Sequence, residues 1–74
     1  MKLIENGLAK CKYEPRGDWG LEGYQRGQLY KYELIDLDGK KRFKVYPEAE
    51  VGYGEYCSKT IFNKCFEIIT QATF

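Results

Sequence analysis

Seventy-four residues with a net charge of +1 read as one small domain spanning 1–74. A chain of this size buries only about 60% of the surface that its unfolded form exposes, too little to shape a deep substrate cleft. The near-neutral charge excludes a global pull toward nucleic acid or an anionic membrane, so any electrostatic role rests on local patches. Seven Tyr, four Phe and one Trp supply the apolar area that a thin core needs, and the composition is that of a folded chain.

In chain order, the first residues, Met1 to Asn6, contain no apolar run of signal-peptide length. No segment approaches the roughly 20 apolar residues that span a bilayer, so the expected compartment is the cytoplasm. Residues 8–14 alternate, with Ala9, Cys11 and Tyr13 on one side and Leu8, Lys10, Lys12 and Glu14 on the other. That predicts a half-buried strand closed by Pro15. Residues 16–27 carry glycine at 17, 20, 23 and 27 around Trp19, Leu21 and Tyr24. This density of glycine predicts a long shaped loop rather than a helix.

Asp38-Gly39 is the strongest local signal. A two-residue turn needs positive φ in its centre, which Asp-Gly supplies at low steric cost. Strands 29–37 and 40–46 then fold back so that Tyr32 meets Val45, Leu34 meets Phe43, Glu33 meets Lys44 and Asp36 meets Lys41. One face collects Tyr30, Tyr32, Leu34, Phe43 and Val45, and the other collects Lys31, Glu33, Arg42 and Lys44. A one-residue slip would spoil both the apolar and the charged pairs. Pro47 ends the second strand, and residues 48–55 form another loop with Gly52 and Gly54 around Tyr53.

From Ser58 two readings compete. Ile61, Phe62, Cys65, Phe66 and Ile69 recur at helical spacing, and Ser58 suits the N-cap of one long helix. Alternatively, one or two helical turns over 58–63 lead into a strand over 65–70, which the β-favouring Phe66, Ile68, Ile69 and Thr70 support. The second reading is preferred, with the strand covering an open edge of the hairpin sheet.

Leu21, Tyr24, Gly27 and Leu29, spaced as apolar, aromatic, glycine and apolar ahead of a strand, resemble the diverging turn of SH3 domains. The resemblance implies a mainly β fold, a small SH3-like barrel with the Asp-Gly hairpin at its centre and a short helical turn near the C-terminus. The aromatic-rich first-strand motif of that family's peptide groove is absent, and Tyr30 stands where the family places tryptophan. Gly23-Tyr24, Val45-Tyr46-Pro47 and the Phe- and Ile-rich segment 58–69 also resemble short proteins of tailed phages and prophages. That likeness implies a small accessory protein in a host cytoplasm.

Candidate sites divide by chemistry. With no histidine, the usual neutral-pH base is missing, so an enzyme is not expected. Glu48, Glu50 and Glu55 read as solvated loop acids rather than a catalytic pair. Cys11, Cys57 and Cys65 are too few for a zinc site without a carboxylate, and they read as structural thiols with no metal or other cofactor. Cys57 and Cys65 suit a disulfide only within about 7 Å between their Cα atoms. Cys11 and Cys65 are expected to be protected, and Cys57, beside the glycine loop, accessible. Trp19, Tyr24, Tyr53 and Tyr56 form a candidate protein-binding set, because rigid amphipathic rings bind at low entropy cost. Lys31, Lys40, Arg42 and Lys44 around Tyr46, with Lys41 on the edge, form an alternative nucleic-acid-binding stripe or an ordinary solvated face. The reading for function is a non-enzymatic module that binds a protein.

Overall fold

The computed structural model describes residues 2–16, 18, 21, 23–47 and 54–73. Five strands and one helix follow in the order β1 (Lys2–Cys11), β2 (Leu29–Leu37), β3 (Lys40–Tyr46), β4 (Glu55–Cys57), α1 (Lys59–Cys65) and β5 (Phe66–Thr73). All pairings are antiparallel, and the sheet order is β4-β3-β2-β1-β5. The sheet is open. Among the described residues no ladder joins β4 to β5, so the expected closed barrel is corrected to a mainly β sheet backed by a short helix. Closure would have needed a longer partner than β4, which has three residues.

The hairpin has the expected register, from Lys31 opposite Tyr46 to Leu37 opposite Lys40. Asp38 and Gly39 both take positive φ, 52° and 86°, as a turn matched to the strand twist requires. The Gly39 N–H also donates to Asp36 Oδ1 at 2.8 Å, which holds the turn from its own strand end.

β1 starts six residues earlier than the alternation from Leu8 suggests, because a bulge between Leu3 and Glu5 interrupts the period. It also stops at Cys11. There the N–H groups of Lys12 and Tyr13 both donate to the Cys65 carbonyl, at 2.8 and 3.3 Å. Tyr13 thereby leaves the core face and is 49% exposed, with the Lys64 ammonium over its ring. A second bulge places Ile69 as an extra residue of β5 between the pairs Leu8–Thr70 and Ala9–Ile68.

The turn-plus-strand reading of the C-terminal segment holds, with the strand running on to Thr73. Ser58 caps α1, its hydroxyl oxygen accepting from the Ile61 N–H at 3.3 Å. β5 covers the edge of β1 rather than an edge of the hairpin, because β1 already occupies that edge beside β2.

The core lies between one sheet face and α1. It gathers Ala9, Cys11, Tyr32, Phe43, Val45 and Cys57 from β1 to β4, Phe62 and Cys65 from α1, Phe66 from β5, and Leu21 and Tyr24 from the β1–β2 connection. Phe62 stacks on Phe43 with centroids 3.9 Å apart and planes 4° apart. The Tyr32 hydroxyl donates to Glu5 Oε2 at 2.7 Å, which gives that buried carboxylate a partner.

Candidate functional site

The face of the sheet turned away from α1 is where the candidate residues meet. Pairs directly opposite in antiparallel strands share a face, so the registers build rows across it. One row runs Tyr56, Lys44, Glu33, Asn6, Ala72 from β4 to β5. The next runs Tyr46, Lys31, Leu8, Thr70, and a third begins with Leu29 and Lys10.

Tyr46 is the hub. Its hydroxyl donates to Glu33 Oε1, which fixes the half-buried ring on the face. The ammonium groups of Lys31 and Lys44 stand 5.4 and 5.3 Å from its centroid, and Lys44 is also 5.4 Å from the centroid of Tyr56. Cations at these distances are attracted by the ring quadrupole. Burial and the Glu33 hydrogen bond raise the Tyr46 hydroxyl above its ordinary value, with Lys44 opposing in part. Burial alone would lower the Lys44 ammonium, but Tyr46, Tyr56 and Glu33 together raise it. At neutral pH the face therefore keeps its phenol protonated and its lysine charged.

Only part of the expected basic stripe forms this cluster. Arg42 stands opposite the buried Ile35, and Lys40 opposite Leu37 beside the turn. Lys40 is six positions from Tyr46 along β3, about 20 Å at the rise of a strand. Lys41 pairs with Asp36. Ile35 itself is a buried apolar residue on the open face, flanked across the sheet by Leu3 and Arg42.

The expected aromatic set separates. Tyr24 is buried at 5% exposure, its hydroxyl donating to the Val45 carbonyl at 2.9 Å and its ring edge-on to Tyr30 and Phe66. It is a core residue, so it is corrected out of the docking set. Tyr56 is 40% exposed on the open face. Trp19 and Tyr53 lie outside the described residues, as do Glu48 and Glu50.

Three site residues were missed in the sequence, Leu8, Leu29 and Lys10. Leu8 and Leu29 are 40% and 53% exposed on the same face as Lys31 and Tyr46. The alternation of residues 8–14 put Leu8 on the outer side of its strand, but only the β1–β2 register brings it to Lys31.

The thiols require a further correction. All three cysteines are free and buried, including Cys57, which stands opposite Phe43 on the core face of β4. Burial, reinforced by Cys65, pushes the Cys57 thiol up to about 11, and burial also raises Cys11 and Cys65. Thiols held protonated are poor nucleophiles. Native-state labelling with an aromatic disulfide reagent is therefore expected to find all three slow, reacting only on unfolding. A fast thiol at Cys57 would show that the β4 pairing is wrong.

Among the described residues no group of three or more Cys, Asp or Glu side chains is arranged to hold a metal, and no pocket opens. No helix among them is long and apolar enough to cross a membrane. Comparison with known proteins finds no matching family, no matching curated protein and no matching solved structure.

Proposed function

We propose that the protein is a non-enzymatic binding module whose open sheet face docks an acidic surface of another protein. The observation that carries this reading is the mixture on one face: exposed Leu8, Leu29 and Tyr56 interleaved with Lys10, Lys31 and Lys44 around Tyr46. Exposed apolar side chains next to one another favour a partner that removes them from water, and the cations favour acidic groups around it. Tyrosine is enriched at the centres of such interfaces.

The same cations and Tyr46 support a second reading, binding of single-stranded nucleic acid through Lys31, Lys40, Arg42 and Lys44. It is the weaker one. Phosphates gain nothing from the two leucines, Glu33 opposes them within the cluster, and Lys40 lies about 20 Å along β3 from Tyr46. The SH3-like kinship implied by the turn before β2, a cytoplasmic setting and an accessory role in a phage or prophage are part of the proposal, supported by the sequence resemblance alone.

Affinity capture with the tagged protein tests it. Tyr56→Ala and Lys44→Glu should each weaken capture of an acidic partner by about tenfold or more while circular dichroism stays folded. Trp19→Ala should leave capture intact, whereas its loss would return the binding role to the loop aromatics. A competitor-resistant mobility shift with single-stranded nucleic acid at about 150 mM salt, abolished by Lys44→Glu, would overturn the protein reading.

A further inference from the structure

The two edges of the sheet differ sharply. β4 offers three residues, whereas β5 offers eight and, among the described residues, pairs only with β1. From Ile68 to Thr73 that strand, reading Ile-Ile-Thr-Gln-Ala-Thr, carries no charge and no proline. Charge and proline are two of the usual guards of an exposed edge, and their absence leaves a row of backbone N–H and C=O groups ready to pair, interrupted by the bulge at Ile69. Ile68 and Ile69, 37% and 50% exposed, stand on this strand.

We propose that a second copy of this chain occupies this edge, β5 pairing antiparallel with β5 about a twofold axis near Thr70. Two observations select a copy of the chain over a foreign strand. Recognition of a foreign strand by an edge draws its specificity from pockets for alternate side chains, and none opens among the described residues. The charge pattern suits self-pairing. The one charged residue of β5 is Glu67, near the start of the strand and opposite Lys10 of its own sheet. In the antiparallel arrangement the two Glu67 side chains fall at opposite ends, about 20 Å apart, where salt screens their repulsion. The uncharged middle segments then meet each other, and the two sheets become one continuous sheet that shields both pairs of isoleucines.

This inference is independent of the docking face, and its test separates the two. Sedimentation equilibrium over about a thousandfold range of concentration should show the mass rising from monomer to dimer. Ile69→Lys places two ammonium groups across the axis and should weaken self-association by about tenfold or more, whereas Leu29→Lys on the open face should not change it. A wild-type monomer throughout, or a dimer broken by Leu29→Lys and not by Ile69→Lys, would overturn the proposal. Hydrogen exchange on the unaltered chain gives a second readout that does not depend on the folding of any variant. Protection of alternate β5 amides should increase with protein concentration, and concentration-independent exchange there would equally refute the pairing.

Discussion

Replacing Gly7 with alanine is expected to cost about 3 kcal/mol or more, a lowering of the melting temperature by roughly 12–24 °C in a domain of this size. A Cβ at Gly7 would lie 2.0 Å from the Thr70 carbonyl oxygen and 2.8 Å from its carbon. Neither neighbour is a flexible side-chain tip. Both belong to the backbone of β5, which approaches β1 this closely beside the Ile69 bulge, where the Leu8 N–H donates to Thr70 Oγ1 at 3.1 Å. The third neighbour, Tyr32 Cε1 at 3.1 Å, belongs to the ring whose hydroxyl satisfies Glu5. The substitution therefore pushes β5 off β1 and strains the core at the same point. Thermal unfolding followed by circular dichroism reads the effect directly, and an unchanged midpoint would place β5 elsewhere in the sheet.

Phe62→Ala should be as damaging, at about 3–5 kcal/mol against a total stability that in small domains is about 5–15 kcal/mol. Phe62 is fully buried and meets the rings of Phe43, Tyr32 and Phe66, at centroid distances of 3.9, 5.3 and 5.4 Å. α1 has seven residues, too few to persist by hydrogen bonding alone, so its stability comes from Phe62 and Cys65 packed against the sheet. Removing the ring should therefore melt the helix along with the packing it serves. Urea titration is expected to show a large fall in the midpoint for Phe62→Ala and a much smaller one for Phe62→Leu, which keeps most of the volume. Equal effects would mean that stacking geometry, not volume, supplies the stability.

How much of this is legible in the sequence depends on range. The hairpin is legible because turn chemistry and alternation act on adjacent residues, and the Ser58 cap is legible for the same reason. The first half of β1 is hidden because Glu5 and Gly7 are poor strand markers and the bulge at Ile4 breaks the period. The open sheet is hidden because strand order is set by contacts between residues far apart in the chain. Cys57 reads as accessible from its glycine-rich neighbours, yet a pairing with Phe43 turns it inward. At the site, Lys31, Lys44 and Tyr46 follow from hairpin register and Leu29 from the alternation of β2, whereas Leu8 joins them only once β1 has docked.

The position of β5 also bears on the order in which the chain acquires structure during synthesis. The β1–β5 ladder joins residues as much as 68 positions apart, Glu5 and Thr73, while the hairpin closes through two. Bringing distant segments together costs more chain entropy than closing a short turn, so the hairpin is the natural template and β1 adds to it. On the ribosome, β1 emerges first yet lacks its outer neighbour until β5 has been translated, well after β2 and β3. The nascent chain therefore has an open edge at β1 until then, an interval in which pairing between neighbouring chains on one message competes with pairing within the chain.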